Sequence, residues 1–461
     1  MTGEKYTGAN LGQALPDRAG MNRRTLLKVT GAAAANLALS APAVLAQSKP
    51  YAGTTINGAS FQHVFQNYIQ EMLPEFEEQS GIKVNLELQS FPVYNQRMDL
   101  ELSTNSEGYD FCNISFIYSG RWIGSGWLTP LDEMSADPNM TPDAWDREDF
   151  LGGPQSTLKN SAGETFGYAW EGGAMILSAA RNDVLDDAGL ALPTTYDEMV
   201  KVAEATRGVK GVAPFVADKL HHWNWPPYLM GFGGQVFRDS PTDLFPLLDS
   251  PEAVAAAEWY ANLLIEYGPE GILSFNDDQA LRLQMQGNAN LRTQVIGWMT
   301  PLVGEDTSTV KDTTKFAMMP AGQAGAFPGA NSVGYGIPVA AKNKGAAWEF
   351  IKWALSKDIL RRVVFDKGYT AVCRRSIVTD PEFIRKMTYN GVNVADLYMK
   401  TLERGEAGYM AYRTLPIFPQ VGDKINKAIE RIATKQSSAA DAMKQAQAEA
   451  IIDLKKAGIK L

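Results

Sequence analysis

The stretch Phe166-Gly-Tyr-Ala-Trp-Glu-Gly-Gly-Ala-Met-Ile-Leu-Ser-Ala-Ala-Arg181 sets two aromatics and a carboxylate against a glycine pair, then runs on as an apolar segment to a polar stop. It reads as a strand that leaves one domain and enters another. Tyr168, Trp170 and Glu171 then stand at the mouth of an interdomain cleft, where small-molecule sites concentrate. An ordinary strand with a buried Trp fits the same residues, and buried aromatics are commoner than ligand platforms. The flanking chain has to decide.

At 461 residues the chain exceeds the roughly 250–300 at which a single core stops growing, so two domains are expected. With 45% apolar and 21% charged residues, it has globular composition and ample core material. A net charge of −9 argues against nucleic acid and anionic membrane as partners. Met21-Asn-Arg-Arg-Thr-Leu-Leu-Lys28 places twin arginines before an Ala-rich apolar stretch that ends in Val44-Leu45-Ala46. Residues 1–46 therefore read as a twin-arginine signal peptide, with a periplasmic destination expected. Cys112 and Cys373 match no metal or redox spacing, and Cys112, in an apolar strand pattern, is expected as a buried free thiol. No metal and no cofactor is expected.

Downstream of the leader, residues 54–60 read as a strand, Val64 to Ser80 as a helix closed by Gly81, and residues 82–88 as a strand alternating apolar and polar residues. Together they make a βαβ unit. Residues 94–102 read as a second helix and residues 109–114 as a third strand. The loops after the first and third strands hold Gln62, His63 and Phe116, and both point at one sheet edge, where ligands of open α/β sheets lie. Pro251 to Tyr267, residues 275–287 and residues 346–355 have helical patterns, residues 295–299 and 333–340 read as strands, and residues 421–461 as a helical tail. His221-His-Trp-Asn-Trp-Pro-Pro-Tyr228 reads as an aromatic, Pro-ended loop. Its adjacent histidines point different ways, which argues against a shared metal.

Several of these segments, in order, carry a resemblance. Pro74-Glu-Phe-Glu-Glu-Gln-Ser-Gly-Ile-Lys-Val84, Gly126-Trp-Leu-Thr-Pro-Leu-Asp132, Asp187-Ala-Gly-Leu190, Pro193-Thr-Thr-Tyr-Asp-Glu198 and Ala346-Ala-Trp-Glu-Phe-Ile-Lys-Trp353 resemble the extracellular solute-binding proteins (family 1) of ABC importers, most of all the maltose and sugar-binding type. The resemblance implies an α/β, two-lobed periplasmic-binding-protein-like fold of type II, with a ligand cleft between lobes joined by crossing strands. It implies a first lobe of residues 51–167 with 316–357 and a second of residues 168–315 with 358–461. It also implies a monomeric, non-enzymatic receptor that closes over a carbohydrate or polyol and presents it to the transmembrane subunits of an ABC permease. Where the family often carries Pro-Thr-Arg, this chain has Tyr369-Thr-Ala-Val-Cys-Arg-Arg375, so Cys373 and Arg374 do not carry over as site residues.

A sugar or polyol offers C–H faces and a rim of hydroxyls, so its site needs flat aromatics and hydrogen-bonding side chains. Trp170, Trp223, Trp225, Trp298 and Tyr335 are candidate platforms. Gln62, Glu171, Asn331, Asp110 and Arg413 are candidate hydroxyl partners, with His63 and Phe116 on the neighbouring loops. Plain packing remains open for Trp223 and Trp225, a strand-end structural role is the stronger reading of Asp110, and a surface salt bridge remains open for Arg413. The resemblance supports Trp170 with Glu171 at the lobe crossing, Gly329-Ala-Asn-Ser332 as a loop meeting ligand, and Arg413 near the site. The competing classes are a secreted glycan-cleaving enzyme, which uses similar clefts, and a binder of a non-sugar solute with Arg121, Arg374 and Arg375 as cationic candidates. Glu171 has no recognisable catalytic companion in the sequence, and no GxSxG, P-loop or HExxH pattern is present.

Overall fold

The computed structural model describes residues 49–304, 308–405 and 407–461, without the side chains of residues 298–300. The signal peptide expected at residues 1–46 lies outside the described residues.

The first half is built by short-range βα logic. Strand β1 (Thr55–Phe61) leads into helix α1 (Val64–Ser80), which buries Phe65, Ile69, Met72, Leu73 and Phe76 on one face. Gly81 stops that helix in the left-handed conformation at φ 75°, its N–H donating to Glu77 O, as glycine at this position does best. Strand β2 (Lys83–Gln89), helix α2 (Phe91–Ser103) and strand β3 (Phe111–Ile114) follow, and β1 pairs in parallel with both β2 and β3.

Strand β4 (Gly167–Ala179) joins the two halves. Its first part pairs antiparallel with β10 (Ala330–Gly336), which in turn lies beside β3. Its second part, from Met175, pairs antiparallel with β8 (Ala289–Val295) on one side and β9 (Lys315–Met318) on the other. Strand β5 (Ala213–Phe215) pairs in parallel with β8, giving the order β2-β1-β3-β10-β4-β8-β5, while β6 (Phe237–Asp239) and β7 (Asp243–Pro246) form a separate hairpin. All thirteen residues of β4 are buried. Full burial explains its near-continuous apolar run, since neither face needs a polar residue.

Two hydrophobic cores flank this crossing. One contains Ile56, Phe65, Phe111, Trp122, Trp170, Trp348 and Phe350. The other contains Leu177, Phe215, Trp225, Tyr228, Tyr260, Phe418 and Ile429. The expected assignment of residues 358–461 to the second lobe needs correction. Ile359, Leu360, Val363, Val364, Phe383, Tyr398 and Leu402 pack into the first core, and the described residues from Tyr409 onward join the second. Arg362 ties that segment to α1 through a two-pronged pair with Glu75 at 2.9 and 2.8 Å. Both cysteines are buried free thiols.

Two local readings also change. Strand β8 ends at Val295, and Ile296–Met299 is a helical turn, not a strand. His221–Gly231 is a helix, not a loop. Its Pro227 has no N–H for the carbonyl of Trp223 four residues back, and Arg413 supplies the missing donor, Nη2 lying 2.7 Å from Trp223 O.

Close packing in β1 yields a test. A Cβ on Gly58 would stand 1.9 Å from Phe111 Cζ, and that ring is already stacked on Phe350 at 4.3 Å. Gly58→Ala should therefore cost about 1–3 kcal/mol of unfolding free energy, read as a lower urea midpoint. An unchanged midpoint would show that the ring can yield.

Candidate ligand-binding site

A cavity of about 200 Å³ lies where the two halves meet at β4. The first half contributes Phe61, Gln62, His63, Phe91 and Phe116, and the crossing strands contribute Glu171 and Asn331. The second half contributes Lys219, Trp223, Asn276, Asp277, Asp278 and Gln294. Phe116 and Trp223 meet across the gap with ring centroids 4.9 Å apart.

Glu171 forms the floor. It is 4% exposed, and its Oε2 accepts the Tyr369 hydroxyl proton. The same oxygen lies 3.2 Å from His63 Nε2. His63 caps α1, Nδ1 accepting from the Phe65 N–H at 3.3 Å. That bond places the proton of the neutral ring on Nε2, the nitrogen on the carboxylate side. Burial pushes the His63 imidazole down to about 3, so it stands beside Glu171 as a neutral ring. Burial lifts the Glu171 carboxyl to about 7, with the Tyr369 hydrogen bond opposing the rise and the Asp277 carboxylate adding to it.

The opposite wall is the start of the helix Asp277–Met285, capped by Asn276, which forms a reciprocal pair of hydrogen bonds with Gln279. Acidic residues in a first helical turn suit the helix dipole. Arg292, fully buried on β8, donates to Asp277 Oδ1 and lies 3.3 Å from Asp218 Oδ2. Gln294 Nε2 bridges the same two carboxylates at 2.8 and 3.0 Å. Its Oε1 accepts from Trp223 Nε1 at 3.4 Å. The platform and the acidic wall are thus one hydrogen-bonded assembly. Arg413 covers the ring of Trp223 with its guanidinium 3.6 Å from the centroid.

Of the twelve candidates named from sequence, Gln62, His63, Phe116, Glu171, Trp223 and Asn331 line this cavity. Trp170 does not. It is fully buried in the first core, stacked on Phe65 at 4.6 Å with 4° between the rings, and its Nε1 donates to Asn113 at 2.8 Å. The pairing with β10 slips here, Val333 facing Glu171 and Gly334 facing Ala169, so Trp170 sits at a bulge and packs on Phe65 and His63 while Glu171 lines the cavity. Trp225 is fully buried in the second core, and Tyr335 is fully buried with its hydroxyl donating to Gln66 at 2.6 Å. Arg413 is buried behind Trp223 and pairs with no carboxylate among the described residues. The side chain of Trp298 lies outside the described residues. Asp110 is the strand-end residue expected, accepting from the backbone N–H groups of Asn57 and Asn343 at 3.0 and 2.9 Å. Arg374 is fully buried and donates to the carbonyls of Leu355 and Trp145. Asn276, Asp277, Asp278 and Gln294 escaped the sequence reading. Asn276-Asp-Asp-Gln279 is a legible capping pattern, but nothing local shows that this helix end meets the crossing strand.

The family model described as bacterial extracellular solute-binding protein matches residues 58–359. The chain belongs to that family. This solute-binding protein is 24% identical over 355 residues to the erythritol/L-threitol-binding protein of Mycolicibacterium smegmatis, covering 70% of this chain and 71% of the relative. It is 23% identical over 392 residues to the mannitol-binding protein of Pseudomonas aeruginosa, covering 79% and 85%. A solved solute-binding protein of an ABC transporter from Agrobacterium radiobacter, in complex with ribitol, superposes with a TM-score of 0.78 at 23% identity, over 87% of this chain and 99% of that one. The fold is the two-lobed α/β architecture of type II periplasmic binding proteins, and the family binds solutes and does not catalyse.

The Glu171 environment makes a testable statement about stability. A carboxyl whose native value stands above its unfolded value of about 4.3 loses stability as pH rises through its native value. Glu171→Gln keeps an acceptor for Tyr369 and carries no charge. The variant should be more stable than the parent by on the order of 2 kcal/mol at pH 8 and by little at pH 5, measured by urea unfolding. A variant less stable at both pH values would contradict the assignment.

Proposed function

We propose that this solute-binding protein captures a small polyol or carbohydrate in the cleft and delivers it to the permease of an ABC importer. The observation that carries the reading is the pairing of an aromatic wall with carboxylate and amide oxygens around one small cavity. Phe61, Phe91, Phe116 and Trp223 offer flat apolar surface, while Glu171, Asp277, Asn331 and Gln62 offer polar atoms to a rim of hydroxyls. A volume of about 200 Å³ lies below the ~300–1,000 Å³ of sites for drug-sized ligands, which favours a single small unit over an oligosaccharide. Relatives named for binding erythritol, L-threitol and mannitol, and a structural neighbour holding ribitol, point the same way. With Phe116 and Trp223 in contact across the gap, hinge opening of the two halves would admit the solute and closure would restore that contact over it. Arginines 23 and 24 with the apolar run to Ala46 support export through the twin-arginine route to the periplasm.

A thermal-shift panel of four- to six-carbon alditols, monosaccharides, maltose, amino acids and dipeptides tests this reading, because a ligand of the native state raises apparent stability. An alditol or monosaccharide at about a hundredfold excess over its Kd should raise Tm by a few °C. Trp223→Ala should remain folded and weaken that ligand at least about tenfold in calorimetry. Stabilisation by amino acids or dipeptides alone would overturn the proposal.

A further inference from the structure

We propose that the cleft selects its solute by charge as well as by shape, admitting an alditol or an alditol bearing an ammonium group and rejecting the corresponding aldonate, with Glu171 as the residue that sets the rejection. This rests on the polyol reading above and adds to it the class of polyol derivative that the site refuses.

The argument starts from which acceptor atoms are already used. The Tyr369 hydroxyl donates to Glu171 Oε2, His63 Nε2 lies 3.2 Å from the same oxygen, and none of the described residues donates to Oε1. Both bonds to Asp277, from Arg292 and Gln294, converge on Oδ1, and none of the described residues donates to Oδ2. Two carboxylates of the lining thus each hold one oxygen without a protein donor, one on the crossing strand and one on the second half. A carboxylate oxygen only accepts hydrogen bonds. The ligand atom opposite must therefore bring a hydrogen, as a hydroxyl or an ammonium does. The carboxylate of an aldonate brings none and places a like charge in a buried site, which disfavours it sharply.

No countercharge on the floor offsets this. Arg292 is committed to Asp218 and Asp277, and Lys219 is exposed on a wall that also carries Asp278. The groups facing Glu171 are His63 from the loop before α1, Tyr369 and Cys373 from the segment after helix Lys357–Phe365, Tyr398 from helix Val394–Gly405, and Asp277 across the cleft. Burial holds the imidazole, the two phenols and the thiol uncharged. Asp277 is likewise raised to about 7, chiefly by burial, with the Arg292 guanidinium opposing the rise, so it titrates over the same range as Glu171. Glu171 itself, raised to about 7, is ionised at pH 8 and protonated at pH 5.5. Protonation removes its charge and gives it a hydrogen to donate, so the rejection relaxes in acid.

The test is isothermal titration calorimetry of the leaderless protein with erythritol, ribitol and D-mannitol, each beside its aldonate and its terminal amine. For the alditol that binds, the aldonate should be weaker by about a hundredfold at pH 8 and the amine no weaker than the alditol. At pH 5.5 the gap between alditol and aldonate should close by at least about tenfold. Glu171→Gln should close it at pH 8, with Asp277→Asn as the second variant if that one does not fold. An aldonate that binds as tightly as its alditol at pH 8 overturns the charge selection and leaves the polyol reading standing. So does a gap that neither pH nor either substitution moves. Binding by no member of the set to folded protein overturns the polyol reading and this one with it.

Discussion

One strand has to satisfy two sheets, and the site depends on that constraint. The thirteen residues of β4 are all buried because the strand pairs with β10 in its first part and with β8 and β9 in its second. A carboxylate in such a strand is costly unless it is neutralised or hydrogen-bonded. Among the described residues Glu171 has no Lys or Arg beside it, only the Tyr369 hydroxyl, which donates to it, and the neutral His63 ring 3.2 Å away. The fold therefore holds a carboxyl with a raised proton affinity at the one place where both halves can reach a ligand. Gly173 shows how tightly that place is shaped, since a Cβ there would stand 1.4 Å from Asn331 Oδ1.

The second wall follows from a backbone defect. Pro227 leaves the Trp223 carbonyl without its helical donor, and Arg413 fills the vacancy while laying its guanidinium on the indole ring. Gln294 holds the indole N–H and ties it to Asp277 and Asp218. Trp223 is therefore fixed from the backbone, the ring face and the ring edge. A platform with its rotamer already set loses little side-chain entropy when a ligand arrives. Arg413 works through Trp223, so it is a positioning residue.

Much of the fold was legible in the sequence because it rests on short-range patterns: the alternation in β2, the 3.6-residue spacing and glycine stop of α1, and the continuous apolar run of β4. The site was legible where a loop followed a strand end, as for Gln62, His63 and Phe116. It was not legible where the outcome hung on a slip in strand pairing, such as the bulge of β4 at Trp170. Trp170 and Glu171 are neighbours in sequence, yet one packs into the first core and the other faces the cavity. Nor could local pattern show that Asn276 and Asp277, a helix start over a hundred residues after Glu171, oppose it across the cleft. The course of residues 359–402 back to the first core was hidden for the same reason, since their apolar spacing fits either core.

The central claim is that Glu171 and Asp277 meet the solute from two sides of one cleft. A crystal structure of the protein with a stabilising alditol tests it most directly. The account predicts ligand hydroxyls within hydrogen-bonding distance, about 2.5–3.0 Å, of Glu171 Oε1 and Asp277 Oδ2, with the carbon chain against Trp223. An alditol seated elsewhere, or one in this cleft that leaves both oxygens without a hydroxyl partner, would contradict it.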